Sequence, residues 1–235
     1  MSAADLLEEL KRLGSESYKK TMMVHGAREP VFGVRIQDMK KIVKRVGKDY
    51  QLALDLFKTG NYDAMYLAGL IADDSRMTRR DLQQWLDQAY CSGISEYTVP
   101  WVAAESAHGW ELGLKWIESR NEQHAAAGWS TLSSVASRRD DADLDIPAFD
   151  KLLGRVEKSI HEQPNRVKYT MNGFVIAVGS HIRPLHRRAV EVGRSIGKVS
   201  VEMNGTSCKV PFAPEYIKKV EARGSLGKKR RDTRC

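Results

Sequence analysis

Residues 165–188 read NRVKYTMNGFVIAVGSHIRPLHRR, and this stretch decides what kind of fold the chain can adopt. Met171, Phe174, Val175 and Val178 recur at the three- and four-residue steps of one helix face, not at the two-residue step of a strand. Arg166, Lys168, Arg183, Arg187 and Arg188 add an unusual density of positive charge. The charge balance of the chain also turns over here. Residues 1–163 hold 22 Lys and Arg against 25 Asp and Glu, a net −3, while residues 164–235 hold 16 against 5, a net +11. A polarised molecule of this kind is built to meet something acidic with its C-terminal third.

Outward from this stretch the same helical rhythm fills the chain. Leu6, Leu7, Leu10 and Leu13 form one apolar face near the N-terminus. Residues 26–30 (GAREP) break the pattern, because a proline forces its predecessor out of α conformation. Ile36, Met39, Ile42, Val43 and Val46 form the next stripe, with Lys40, Lys41, Lys44 and Arg45 on the other face and Gly47 as the stop. Residues 62–72 are almost wholly apolar, and Thr78 is placed to cap residues 79–90. Helices of about a dozen residues then alternate with short Gly, Asp or Pro breaks as far as residue 196. Near-regular helices without strand–helix alternation predict an all-α chain, an α-solenoid of stacked HEAT-like helical pairs. One segment departs: residues 199–203 alternate, Asn204-Gly205 is a tight-turn dipeptide, and residues 206–210 could return as a second strand. The expected organisation is a helical repeat domain over 1–198, a hairpin or loop over 199–213, and a short helix with a basic, mobile tail over 214–235.

Composition narrows the function. No stretch approaches the roughly 20 apolar residues of a membrane span, and the opening MSAADLLEELKRLG lacks the basic start and apolar run of a signal peptide. Cys91, Cys208 and Cys235 are odd in number and widely spaced, which fits free thiols in a reducing compartment. Neither they nor the six histidines show metal-ligand spacing. A cytoplasmic monomer without metal or cofactor is expected, associated with the nucleoid when it is bound to DNA.

Phosphate contacts by Lys and Arg supply most sequence-independent affinity for nucleic acid. Lys168, Arg183, Arg187, Arg188 and Arg194 are the candidate contacts, with Arg183, Arg187 and Arg194 on one face by their spacing of four and seven and only Glu191 opposing them. Lys40 and Lys44 belong to a second cluster near the N-terminus. The tail's Lys228-Lys229-Arg230-Arg231 adds non-specific nucleic-acid affinity or solubility.

Four pieces carry a likeness to a known family. They are Phe32-Gly33-Val34-Arg35-Ile36-Gln37-Asp38-Met39-Lys40-Lys41-Ile42, Leu114-Lys115-Trp116-Ile117-Glu118-Ser119, residues 168–175, and the succession of helices over about residues 5–197. In their order and spacing the chain resembles the DNA alkylation repair family, HEAT-repeat DNA glycosylases of the AlkD type. The resemblance implies a basic concave face that grips duplex DNA, and removal of N3- or N7-alkylated purines by hydrolysis of the N-glycosidic bond. Such chemistry needs electrostatic stabilisation of a developing oxocarbenium sugar and a carboxylate that positions water. It implies no cofactor.

The family's signature is a Trp with an Asp one helical turn later and an Arg in the next repeat. Trp101 and Glu105 are the nearest match here, as the candidate catalytic pair; a second register sets Tyr97 and Trp101 in those places. The Arg position falls on Ala126, and Phe174 stands where the family presents a second aromatic to DNA. Three functions follow as expectations: a glycosylase for alkylated purines, a catalytically inactive protein that binds damaged or structured DNA, and a HEAT scaffold for an acidic protein segment or RNA.

Overall fold

The computed structural model describes residues 1–203, 205 and 209–234, and among them it has thirteen α-helices and no strand. The chain divides into two compact units, one built on Met1–His108 together with Arg234, the other on Gly109–Met203 and residues 209–233.

In the first unit α1 (Ala3–Leu13) starts on a capping box in which the Ser2 hydroxyl accepts from the Asp5 N–H and the Asp5 carboxylate accepts from the Ser2 N–H. It buries Leu6 and Leu10. Next come α2 (Glu16–Val24), α3 (Ile36–Val46) and α4 (Tyr50–Lys58). All ten residues of α5 (Tyr62–Ile71) are buried, as its apolar sequence requires, and α4 and α5 pack as a pair. Thr78 caps α6 (Arg79–Gln88) through a second box with Asp81. A π-helical turn over Gly93–Thr98 then feeds α7 (Val99–Glu105).

One buried charge organises the entry to this unit. Asp63, in the first turn of α5, is fully buried, and its carboxylate accepts from the N–H groups of Phe32, Gly33 and Val34 at 2.6, 3.1 and 2.8 Å. A buried carboxylate is tolerated only when donors surround it, and a loop of three successive N–H groups supplies them. Gly33 is required there twice. Its φ is +77°, and a Cβ would lie 2.3 Å from the backbone nitrogen of Lys19.

The C-terminal end of α5 is equally closed. The Ile71 carbonyl accepts from the Asp49 N–H at 2.8 Å. The Arg234 guanidinium donates to the carbonyls of Gly69 (2.8 Å) and Ala72 (3.2 Å) and to the Asp74 carboxylate, which also holds Lys48 at 2.7 Å. A buried helix end needs such partners for its orphan carbonyls.

The second unit contains α8 (Gly109–Trp116), α9 (Glu122–Arg138), α10 (Ile146–Ser159), α11 (Asn165–His181), α12 (His186–Ile196) and α13 (Ala213–Ala222). Its core is aromatic. Phe174 of α11 meets Trp129 of α9 edge-on at 5.1 Å and stacks on Phe149 of α10 at 5.9 Å, and Trp110 of α8 tilts over Phe149 at 4.9 Å. Gly128 lets α8 and α9 touch backbone to backbone, since a Cβ there would sit 2.6 Å from the Ile117 nitrogen.

The all-α reading and its HEAT-like helical pairs hold. Over residues 199–213 the expectation is a hairpin or a loop. Residues 199–203 and 209–212 are neither helix nor strand. Asn165 pins the first stretch by paired bonds with the main chain of Glu202 (2.7 and 2.8 Å), and Asn172 donates to the Pro211 carbonyl at 2.9 Å. The hairpin turn at Asn204, with Thr206, Ser207, Cys208 and the last residue, Cys235, lies outside the described residues. The tail expected to be mobile is bonded along its length instead: Gly227, Lys228, Lys229, Arg230 and Arg234 all make hydrogen bonds.

Candidate nucleic-acid interface

Helix α3 buries Met39 and Ile42 and turns its basic residues outward, as a stripe of this period must. The four cations are not equivalent. Lys41 pairs with Asp38 at 2.7 Å and Arg45 with Glu9 at 2.5 Å, which leaves Lys40 and Lys44 exposed and without an ion pair among the described residues.

Helix α12 is the second basic element. Ala189, Val192, Gly193 and Ile196 face the core, so Arg187 and Arg194 point to solvent. Arg183 does not continue their row. Residues 183–185 form a 3-10 turn ahead of α12, with Pro184 as its second residue, and the tighter winding shifts Arg183 off the face. Its side chain lies instead against Gly227.

Arg188 is engaged: it holds Glu157 at 2.7 Å and Asp150 at 3.3 Å. The hydrogen bond from Arg188 pulls the Glu157 carboxyl below its usual range, and the same bond raises Arg188. Lys168 is only half-exposed on α11. The outward face of α12 is also less purely cationic than the sequence implies. With α13 it lines a cavity of about 520 Å³ in which Arg187, Arg194 and Lys218 meet Glu191, Glu215 and Glu221.

The aromatic candidates lie inside. Phe174 is fully buried, so it supports the core and cannot serve as a wedge on the surface. Trp101 is 6% exposed, held edge-on by Tyr66 at 5.5 Å and Tyr97 at 6.1 Å. The five other residues from Val99 to Ala104 are buried with it, and only Glu105, the last residue of α7, is half-exposed. Ala126 is fully buried in α9, where an arginine would have no room. Tyr97 is the aromatic that reaches solvent, at 41% exposure, and it does so from a π-helical turn. The step of five residues per hydrogen bond re-aims it relative to Trp101, which a strict 3.6-residue period does not anticipate.

Among the described residues no group of three or more His, Cys, Asp or Glu is placed to hold a metal ion, and no helix is long and apolar enough to cross a membrane. Cys91 is buried, which pushes its thiol up to about 11, far from a reactive thiolate.

Comparison with known proteins agrees with this architecture. Residues 6–217 match a family model described as DNA alkylation repair enzyme. Lin0241 of Listeria innocua is 32% identical over 221 residues, which cover 92% of this chain and 95% of that protein. Lmo0209 of Listeria monocytogenes is 31% identical over the same shares. A solved structure described as a new family of proteins related to the HEAT-like repeat DNA glycosylases, with affinity for branched DNA structures, is 38% identical, covers both chains in full and superposes with a TM-score of 0.93.

Proposed function

Because the chain belongs to the DNA alkylation repair family, we propose that it is a DNA-binding member that grips branched or distorted DNA and does not excise a base. One observation carries this reading: Lys40 and Lys44 on α3 and Arg187 and Arg194 on α12 are outside, whereas Trp101 and Phe174, expected to act at a lesion, are inside the core. The affinity for branched DNA described for the structure with a TM-score of 0.93 supports it. A branched junction offers more phosphates at one place than a linear duplex does, so a protein working by charge and shape favours it without reading sequence.

The test is binding of the full chain to a labelled four-way junction and to a linear duplex of equal length, over a salt series. Preference for the junction, with affinity falling steeply as salt rises, is expected. Arg187→Glu with Arg194→Glu should weaken both complexes by roughly tenfold or more, since two phosphate contacts become repulsions. Equal binding by this variant removes α12 from the interface.

A glycosylase reading keeps one observation in its favour. Trp101 and Glu105 do sit one turn apart on α7, and Glu105 reaches the surface at the end of the helix. Glutamate extends one methylene further than aspartate, and no arginine stands at Ala126 to assist it. No release of N7-methylguanine or N3-methyladenine from alkylated duplex is expected, from the wild-type chain or from Glu105→Gln. Release by the wild type and its loss in the variant would overturn the non-catalytic assignment.

A further inference from the structure

The basic tail divides its residues by direction. Helix α9 ends with carbonyls that no intrahelical N–H can reach; Lys229 donates its Nζ to the Ala136 carbonyl at 3.0 Å, and the Arg230 N–H donates to the Ser137 carbonyl at 2.8 Å. At the end of α11 the Gly227 N–H donates to the Ser180 carbonyl at 2.8 Å, while His181 Nδ1 bonds the Lys228 carbonyl at 2.8 Å. The Lys229 ammonium also pairs with Asp141 at 2.7 Å and is nearly covered. Tail and helix ends thus satisfy one another, with a cation at the negative end of α9.

These bonds use the main chain and Lys229. Lys228, Arg230 and Arg231 turn outward, exposed and without an ion pair among the described residues. Gly227, at a φ of +73°, passes so close to Arg183 that a Cβ would meet its side chain at 2.4 Å, which brings a fourth cation alongside. The Asp141 carboxylate, bound directly to the segment, is occupied by Lys229 and by the Arg183 N–H at 3.1 Å.

We propose that residues 227–231, which lie beyond the span of the family match, form with Arg183 a preordered phosphate-binding strip for DNA. It rests on the DNA-binding reading above and adds a second site to it. The main chain is already fixed by the helix ends, so binding immobilises side chains alone and loses less entropy than ordering a loose tail would. The run is polar and cationic throughout, with Leu226 only half-exposed beside it, which favours phosphates over the interior of a membrane.

The experiment uses the full chain and compares wild type with Lys228→Ala/Arg230→Ala/Arg231→Ala by anisotropy on the same junction and duplex over a salt series. Loss of three phosphate contacts should flatten the slope of log affinity against log salt by about 3 and weaken binding at low salt by roughly tenfold or more. A variant that binds with an unchanged slope overturns the strip and leaves the DNA-binding reading standing. A wild-type chain that does not bind DNA removes both. Should the triple variant fail to fold, Lys228→Ala and Arg231→Ala singly should each flatten the slope by about 0.9, and no change in either has the same adverse meaning. Slopes that change for RNA or anionic vesicles but not for DNA overturn the choice of partner.

Discussion

Helices α7 and α12 carry the two kinds of candidate residue, and they differ in how many of their sides are covered. α7 is seven residues long and buries six of them, so Trp101 is packed between Tyr66 and Tyr97 and offers nothing to a ligand. α12 buries one stripe of four and leaves the rest of its circumference to Arg187, Glu191 and Arg194. A helix enclosed on every side contributes rigidity, and chemistry can come only from its ends. A helix covered on one side contributes a surface. Within one fold, the proposed DNA-binding role draws on the second arrangement and not on the first.

Substitutions can break this contrast. Trp101→Ala and Phe174→Ala remove buried rings and should each cost about 3–5 kcal/mol, a fall of roughly 6–20 °C in Tm by calorimetry. Junction affinity below the new transition should be unchanged; a variant that melts normally but binds poorly would put its aromatic in the interface after all. Arg187→Glu with Arg194→Glu should do the reverse, with the loss of affinity given above and a Tm within about 2 °C of wild type, as is usual for surface changes.

A smaller effect tests the tail's anchor. Burial lowers His181 below its ordinary value of 6.5, helped by Lys229 and Arg230 nearby, so the folded protein favours the neutral ring. The unfolded chain then binds the extra proton first, and stability present above about pH 6.5 is lost as pH falls towards the lower folded value. Thermal scans between pH 7.5 and 5 should show this decline in wild type and a shallower one in His181→Gln. Smallest is Arg188→Ala. Its pairs with Glu157 and Asp150 are only half-buried and open to solvent screening, so together they contribute about 1 kcal/mol. In urea the difference from wild type should shrink as pH falls below the ordinary carboxylate value of 4.5, because the depressed Glu157 carboxyl then takes up its proton.

Much of the scaffold could be read from residue spacing alone. Ile36–Val46 and Tyr50–Lys58 end where their apolar periods and stop residues say, and Thr78 caps α6. These features are local, set by side chains within one turn. The candidate site was less legible, because periodicity tells which face of a helix is apolar but not how many neighbours cover it. Phe174 sits on an apolar face in either role, and only the positions of Trp129 and Phe149 decide that it is core. Asp63 gave no signal beyond being an acid in an apolar run, since its partners lie about 30 residues away. The row of Arg183, Arg187 and Arg194 failed for a local reason, the 3-10 turn at Pro184, and so did the aim of Tyr97 in its π-helical turn.

The socket filled by Arg234 sets a clock on synthesis. Asp74 and the carbonyls of Gly69 and Ala72 belong to the end of α5 and the turn after it, made early, yet the guanidinium that closes them comes about 160 residues later. At roughly 5–20 residues per second of translation, the end of α5 waits on the order of 10–30 s for its last partner. A chain that stalls before residue 234 keeps the buried Asp74 with Lys48 alone. The first unit is therefore closed only after Arg234 has been made, long after the rest of the helix it seals.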